Sequence, residues 1–531
     1  STTSRAGTAD RTPEPETMRT IWLLLIGLAM SLLAAAWVRQ PGYMDADYYA
    51  VTARELTDGK GFSEPFLWNY IDDPAAIPHP SHLYWMPLPS LLAAGSMRLL
   101  GSTFRAAQAP FILITALLPA FTARIAMELT QDRGLAWQAG LLAAFSGFFL
   151  PFMVTTDSFA LYAAIGGIAF WLMTAALKKR TALLWFGLGI ATGVGNLARA
   201  DGLLLLVTGI IAAILTKRSR ASALGSLILG YGLIMIPWWA RNLTVVGSIS
   251  NPGSLRLLWM LSYDDLFAFP PTLLSFERWG RAGVTALAEA RATALLWNLA
   301  RLVAENGMVF LAPFMVLGAL RLWSKPLVRL PIYFLGLLLA AMTLVFPFIG
   351  PRGAFFHSSV AAMPVLWALA PVGLRAAIDW AGGKRNWNVG QAQRVLSSAA
   401  LGLAAALTIG LLASRIVIPA RVGRGWGASL QTYAEAGRRL TGESGRVAVN
   451  NPPGFSFATH REAVVIPNGP PETLQQVSSK FQVEWILLEA NHPAGLDELY
   501  TNPESLAWLR LVDSYKDPAG QPVYLLQVIQ P

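Results

Sequence analysis

The sequence contains no cysteine and few charged residues. Of its 531 residues, 14% are charged, 54% are hydrophobic and five are histidines. The absence of cysteine excludes a disulfide framework and any thiolate metal site. A soluble protein of this length needs more surface charge, so the composition predicts a polytopic α-helical membrane protein. The formal net charge of +10 is typical of basic loops that fix membrane orientation, and we expect no nucleic-acid partner.

Long apolar runs predict about eleven membrane-spanning helices, because each run approaches the ~20 apolar residues that a bilayer needs. The predicted spans are 19–39, 107–129, 135–151, 158–177, 182–198, 202–216, 221–239, 306–322, 330–349, 354–379 and 396–418. Basic clusters fall in every second loop, so the positive-inside bias predicts a cytoplasmic N-terminus in a bacterial-type inner or plasma membrane. This orientation requires that the segment 88–100, which begins with prolines, lies along the outer interface.

The predicted topology divides the chain into three regions. They are a polar cytoplasmic tail over 1–18, a transmembrane domain over 19–419 and an extracytoplasmic domain over 420–531. The transmembrane domain has a first outer loop over 40–106 and a long outer loop over 240–305. In the last region, short apolar runs beginning at Arg446, Ala463, Glu484 and Val523 predict strands, and helices are predicted over 471–480 and 504–510. This alternation is typical of a small α/β domain with a mainly parallel sheet.

Two acids, Asp45 and Asp47, follow the first predicted span and are flanked by tyrosines. An extracytoplasmic carboxylate can take a proton from an acceptor hydroxyl or hold a cation against a phosphate. The structural alternative is that one of them caps a helix predicted over Tyr49–Leu56. Asp157 follows a later span on the same predicted face, and it too is either part of a site or an ordinary helix cap.

Three arginines stand at the outer ends of predicted spans: Arg199, Arg241 and Arg352. A guanidinium group can bind phosphate oxygens in pairs, which favours a polyisoprenyl phosphate as a partner. The structural alternatives are a local ion pair between Arg199 and Asp201, and snorkelling of Arg241 toward lipid head groups.

Three of the five histidines lie in the outer segments of the predicted transmembrane domain. His79 and His82 have a spacing that a metal pair could use, but the intervening proline breaks the helical face that two ligands usually share. His357 follows Arg352 at the start of an outer-facing helix, where a catalytic role competes with an interfacial structural one.

The order of these motifs resembles the GT-C membrane glycosyltransferases, which include protein O-mannosyltransferases, the lipid A aminoarabinose transferase and the oligosaccharyltransferase catalytic subunit. The resemblance extends over most of residues 19–360. It is carried by Asp45-Ala-Asp47-Tyr-Tyr with the following Ala-Arg-Glu-Leu-Thr-Asp-Gly, by Tyr84-Trp85-Met-Pro-Leu, by Asp157 and by Pro237 to Asn242. Many bacterial members also end in a soluble extracytoplasmic domain.

The resemblance implies a sugar donor linked to a polyprenyl phosphate, a catalytic aspartate in the first outer loop and inverting transfer to an acceptor protein, lipid or glycan. This chain has Ala46 where many members have glutamate. Either Asp45 is the base and Asp47 is accessory, or Asp45, Asp47 and Asp157 hold a divalent cation such as Mg²⁺ or Mn²⁺. The implied donor-phosphate ligands are Arg241, Arg352 and Arg199. The implied auxiliary residues are Tyr49, Tyr84, Trp85, His82 and His357.

Two other classes fit the composition. One is a transporter or lipid flippase. The charges argue against it, because they lie on the predicted outer face and not at the bilayer midplane. The other is a non-catalytic membrane subunit. In the enzyme interpretation, the long outer loop with Tyr263 and Trp279 closes over the acceptor.

Overall fold

A computed structural model describes residues 16–216, 219–422 and 425–529, and helices dominate it. Within these residues, seven helices are long and apolar enough to cross a membrane, and there are eight if the bent pair 133–144 and 147–153 counts as one span. The seven are Thr17–Trp37, Phe104–Thr130, Phe159–Lys179, Arg220–Val246, Pro326–Val345, Gly350–Arg385 and Val389–Val417. The chain is therefore an integral membrane protein.

Three predicted spans form shorter apolar helices. They are Ala182–Ala198, Ala200–Ile214 and Ala312–Arg321, so the number of eleven spans stays a prediction. Segment 88–100 forms a helix of 13 residues, which is too short to cross a bilayer. The predicted tail over 1–18 lies outside the described residues up to position 15, as do Lys217 and Arg218 of one predicted basic cluster.

The helices are numbered here in chain order. They are α1 (Glu16–Trp37), α2 (Met44–Thr57), α3 (Leu88–Leu100), α4 (Phe104–Thr130), α5 (Arg133–Ala144), α6 (Leu150–Met153), α7 (Phe159–Lys179), α8 (Ala182–Ala198), α9 (Leu203–Ile214), α10 (Arg220–Val246), α11 (Phe276–Arg281), α12 (Gly283–Arg301), α13 (Ala312–Arg321), α14 (Pro326–Ala340), α15 (Phe355–Ser359), α16 (Met363–Arg385), α17 (Val389–Leu412), α18 (Ile418–Arg421), α19 (Ala428–Arg439), α20 (Pro452–Thr459), α21 (Pro471–Phe481) and α22 (Asp497–Thr501). Single π-helical turns at Leu302–Asn306, Ala341–Val345, Gly350–Ala354 and Ala413–Val417 interrupt or extend several of them.

Small residues let pairs of membrane helices approach closely. Helices α8 and α10 cross at Gly189 and Gly230, where an added Cβ would collide with the backbone of the facing helix. Helices α13 and α16 cross in the same way at Gly318 and Gly373. Helix association in a bilayer depends on such close packing, because lipid tails remove the hydrophobic driving force.

The C-terminal sheet has six strands in the order β2-β5-β4-β6-β8-β7. The strands are β1 (Ser63–Glu64), β2 (Phe66–Leu67), β3 (His79–Pro80), β4 (Arg446–Val449), β5 (Ala463–Val465), β6 (Val483–Leu488), β7 (Leu509–Lys516) and β8 (Pro522–Val528). Strands β2, β5, β4 and β6 are parallel, whereas β8 and β7 add antiparallel pairs. The edge strand β2 comes from segment 40–106, so this segment and the C-terminal domain form one sheet.

Two predicted elements are wrong in detail. Residues 504–510 are not a helix, because a turn leads into β7 at Leu509. The segment 240–305 is largely helical: α10 continues to Val246, short 3₁₀ turns occupy the part between, and α12 fills 283–301. The loop proper is therefore 247–275.

Candidate active site

The first acidic pair lies at the beginning of helix α2, which starts at Met44, five residues earlier than predicted. Side chains two positions apart on a helix point about 200° apart, because each residue turns by about 100°. Asp45 and Asp47 therefore face different neighbours. Asp45 is partly exposed, whereas Asp47 is fully buried and accepts a hydrogen bond from Asn451 Nδ2 in the C-terminal domain at 2.9 Å.

Asp45, Asp157 and His357 converge on one point. A carboxylate oxygen from each acid and one ring nitrogen of the histidine all lie within 4.8 Å of one another. His357 Nε2 is 3.1 Å from Asp157 Oδ2 and 3.6 Å from Asp45 Oδ2. The group replaces the predicted set of Asp45, Asp47 and Asp157, since His357 takes the place of Asp47.

A hydrogen bond at Nδ1 determines which ring nitrogen of His357 faces the two acids. Its Nδ1 is 2.9 Å from the carbonyl oxygen of Gly353, which can only accept a hydrogen bond. Nδ1 therefore carries a proton, and Nε2 is the ring atom that faces the two carboxylates: it donates to Asp157 when it is protonated and can bind a cation when it is not. Metal-binding histidines commonly donate their second N–H to a backbone carbonyl in this way. The donor set thus fits a divalent cation, and two carboxylates with one imidazole suit Mn²⁺ or Zn²⁺.

The turn that carries Asp157 is attached to the start of α2. Thr156 Oγ1 donates to the Ala46 carbonyl at 2.9 Å, and Thr155 Oγ1 donates to the Pro41 carbonyl at 3.2 Å. The Tyr43 hydroxyl donates to Asp157 Oδ2 at 2.5 Å. These bonds hold Asp157 beside Asp45, although 112 residues separate the two acids in the chain.

Burial and charge set different proton affinities for the acids of this region. Burial raises the pKa of Asp45 to about 6, against the opposing effect of His357. Burial also raises the pKa of Asp47 to about 7, although the hydrogen bond from Asn451 lowers it. Burial would raise the pKa of Asp157 as well, but His357 and Tyr43 hold it below its usual value. Asp157 is therefore the permanent carboxylate, and Asp45 titrates closer to neutrality.

Arg199 lies beside this group but is already paired. Its guanidinium makes two hydrogen bonds to Asp201, at 3.1 and 3.2 Å, and also reaches Ser358 and Ser158. The Ser358 hydroxyl donates to Asp201. The local ion pair considered from the sequence is present, so Arg199 carries less uncompensated charge for a phosphate than its position suggests.

The two other arginines differ in their surroundings. Arg352 is exposed and lies 5.0 Å from the ring centre of Tyr263, whose pKa rises to about 12, chiefly through burial and also through Asp45. No hydrogen bond or ion pair involves the Arg352 guanidinium within the part of the chain that the structure describes. Arg241 instead stacks on Trp238 and donates to the Phe62 carbonyl. It thus contacts a different part of the first loop.

The predicted auxiliary aromatics form a layer next to the acidic group. Tyr49 is buried and stacks loosely on His82, and Trp85 contacts both Tyr48 and Tyr84. Tyr49 is close enough for the charge of Asp157 to contribute to its raised pKa, after burial.

His79 and His82 do not form a metal pair. His79 is held by Glu64 at one ring nitrogen and by Asp72 at the other, at 3.0 and 2.9 Å. His82 is buried, neither of its ring nitrogens has a partner among the described residues, and burial lowers its pKa to about 3.

The sequence interpretation overlooks two polar residues that support the site, Tyr43 and Asn451. In the sequence, Tyr43 stands out only as a neighbour of the acids. Asn451 follows the predicted strand that begins at Arg446, and the carboxyl ends of parallel strands are a common place for functional groups. Its position after that strand is the sequence feature from which a role for Asn451 could have been predicted.

The fold defines the class of protein: the chain has the GT-C fold, as its similarity to solved structures shows. Residues 78–240, just under a third of the chain, match the family dolichyl-phosphate-mannose-protein mannosyltransferase. Among curated protein sequences, none matches the chain.

Solved structures resemble the whole chain at low sequence identity. ArnT from Cupriavidus metallidurans in the apo state has a TM-score of 0.60 and 13% identity, covering 97% of this chain and 98% of ArnT. The oligosaccharyltransferase of Archaeoglobus fulgidus, in complex with Zn and sulfate, has a TM-score of 0.59 and 15% identity, covering 95% and 72% of the two chains. The archaeal enzyme with an inhibitory peptide and a dolichol-phosphate gives 0.52 and 15%, covering 96% and 74%.

Proposed function

We propose that the chain is a glycosyltransferase that moves a sugar from a polyprenyl-phosphate donor to a hydroxyl acceptor on the extracytoplasmic side of the membrane, with inversion. The observation that carries the proposal is the convergence of Asp45, Asp157 and His357 Nε2 within 4.8 Å. The partial match to a dolichyl-phosphate-mannose family and the dolichol-phosphate bound to a structural relative support the class of donor.

In this mechanism the acceptor oxygen attacks the anomeric carbon of the donor. The bond between that carbon and the phosphate oxygen breaks, the polyprenyl phosphate leaves, and the acceptor proton passes to Asp45. Asp45 is the most exposed of the three converging side chains, so it is the carboxylate that an acceptor hydroxyl can reach.

The other residues bind and neutralise the donor. Asp45, Asp157 and His357 would hold a divalent cation, which supplies a Lewis acid for the donor phosphate. Arg352, whose guanidinium makes no ion pair with any described residue, is better placed than the paired Arg199 to bind phosphate oxygens. Because phosphate is a good leaving group once its charge is matched, positioning and charge neutralisation supply most of the rate.

The test is donor consumption by the purified protein with a panel of polyprenyl-phosphate sugars and a divalent cation. The variant Asp45→Asn keeps the size of the side chain and removes its basicity, and we expect a loss of about 10²–10⁴-fold in rate. The matched control is Asp58→Asn, an exposed aspartate just beyond the C-terminal end of α2, which we expect to retain full rate. Consumption that survives Asp45→Asn at the wild-type rate removes Asp45 as the base.

A further inference from the structure

Asp47 connects the helix of the candidate site to the C-terminal sheet. It lies two residues after Asp45, is fully buried, and accepts a hydrogen bond from Asn451 Nδ2 at 2.9 Å. The two residues are 404 positions apart in the chain. Its second oxygen, Oδ1, has no hydrogen-bond partner among the described residues, so Asn451 is its one polar contact there.

Asn451 is itself held in one orientation. It follows strand β4 and caps helix α20, with its Oδ1 accepting from the Gly454 amide at 3.1 Å. Because the side-chain oxygen is used by this cap, the NH₂ group must face Asp47. A Cβ at Gly454 would meet the side chains of Asn451 and Asp47, so the glycine lets the two elements approach. Further along α2, Arg54 donates to the Ser456 carbonyl of α20 at 3.2 Å.

The carboxyl end of the same parallel strands also contacts the loop over 247–275, which carries Tyr263. Asn468, which follows β5, forms an isolated parallel bridge with Ala268, and its amide donates to the Phe267 carbonyl at 2.9 Å. The carboxyl ends of β4 and β5 thus hold two segments that border the acidic group.

We propose that Asp47 is a positioning residue through which the C-terminal sheet sets the placement of Asp45. This inference rests on the proposed function for the role of Asp45. The hydrogen bond between Asn451 and Asp47 fixes the first turn of α2, so the C-terminal domain holds the turn that carries Asp45. Removing a group that orients a metal ligand commonly lowers metal affinity or activity by about 10–100-fold.

The experiment exchanges the two side chains in the full-length purified protein. Asn451→Asp keeps the cap on Gly454 but places a second carboxylate against Asp47, which is unfavourable in a buried place. The double variant Asp47→Asn with Asn451→Asp reverses the direction of the hydrogen bond and restores a donor facing an acceptor. Asp47→Asn alone completes the cycle. Asn502→Asp, at an exposed position in the same domain, is the control for the added charge.

Two measurements report on the coupling. Binding of Mn²⁺, followed by the electron paramagnetic resonance of the free ion, should weaken by about 10–100-fold in Asn451→Asp and return to within about threefold of wild type in the double variant. Amide hydrogen exchange in residues 44–50 should accelerate in the single variant and slow again in the exchanged pair, whether or not Mn²⁺ is present. Asn502→Asp should change neither quantity.

The outcomes separate this inference from the proposed function. If Asn451→Asp folds with unchanged Mn²⁺ affinity and unchanged exchange in α2, the inference is overturned, and the proposed function still depends only on Asp45→Asn. If Asn451→Asp does not fold, the double variant decides: recovery of folding and affinity supports the coupling, and a folded double variant with persistently weak Mn²⁺ binding and fast exchange refutes it.

Discussion

Two histidine centres of this protein use the same residue types in opposite arrangements. In the first, His79 lies between Glu64 and Asp72, and each carboxylate contacts a different ring nitrogen. In the second, the carboxylates of Asp45 and Asp157 both approach the Nε2 atom of His357, while its Nδ1 faces a backbone carbonyl. The composition is one histidine and two aspartate or glutamate side chains in both cases.

The difference lies in what each arrangement leaves open. At His79 both ring nitrogens are satisfied by carboxylates, so the imidazolium is enclosed and the cluster ties together β1, β3 and the segment between β2 and β3. At His357 the ring nitrogen Nε2 and one carboxylate oxygen each from Asp45 and Asp157 point toward one another, and a single proton cannot form hydrogen bonds with all three atoms. Removing one partner of a closed, buried ion pair destabilises a fold, whereas convergent ligand atoms make a place for a cation or a reacting proton.

The largest expected effect is the loss of Mn²⁺ binding when the convergent centre is broken. In His357→Gln the ring nitrogen is gone, and we expect the affinity for Mn²⁺ to fall by more than about 100-fold, because a direct ligand matters more than its supporting partners. Electron paramagnetic resonance of the free ion measures this affinity in purified protein.

The matched variant is His79→Gln, which removes the other histidine and should leave Mn²⁺ affinity within about twofold of wild type. Equal losses in both variants would contradict the division between the two centres, since they would show that affinity follows overall folding.

The second effect is on stability and belongs to the closed centre. Removing His79 leaves Glu64 and Asp72 buried without their cation, so we expect the free energy of unfolding to fall by about 3 kcal/mol near pH 6. Burial alone would lower the pKa of His79, but the bonds from Asp72 and Glu64 raise it from 6.5 to about 10. Because the folded-state pKa is the higher one, this stabilisation is complete below about pH 6.5 and is lost as the pH rises toward 10.

Thermal unfolding of wild type and His79→Gln at pH 6 and at pH 9.5 checks the sign. The difference in unfolding temperature should be largest at pH 6 and should shrink at pH 9.5. A gap that widens with pH would mean that His79 is neutral in the folded protein.

The sequence supplied the parts of this comparison but not their arrangement. Apolar runs predicted the membrane helices because a bilayer requires long uninterrupted stretches, and the sidedness of the loops placed Asp45 and Asp157 on one face. The distinction between His79 and His357 could not be predicted, since the carboxylate partners of His357 come from positions 200 residues or more away along the chain.

Local geometry explains the remaining errors. The prediction treated residues 40–48 as a loop, in which Asp45 and Asp47 could bind the same cation. The helix that begins at Met44 instead turns the two side chains toward different neighbours. Strand β2 contains two residues, Phe66 and Leu67, too few for any alternating pattern, so its pairing with β5 could not be predicted. Residues 504–510 have helix-forming side chains, yet pairing with β8 from Leu509 onward determines the structure.

The smallest expected effect sharpens the comparison within the convergent centre itself. The Tyr43 hydroxyl donates to Asp157 Oδ2, the same oxygen that approaches His357, so it orients the carboxylate without adding a donor atom to the group. Tyr43→Phe keeps the ring contacts with Phe152 and Trp426 and should weaken Mn²⁺ binding by about tenfold, less than His357→Gln. The affinity for Mn²⁺ would fall because the Asp157 carboxylate is held less firmly in place. An unchanged affinity would show that Thr155, Thr156 and the Ser158 amide, which donates to Asp157 Oδ1, suffice to hold this turn. A loss as large as that of His357→Gln would make the tyrosine oxygen itself a member of the binding group.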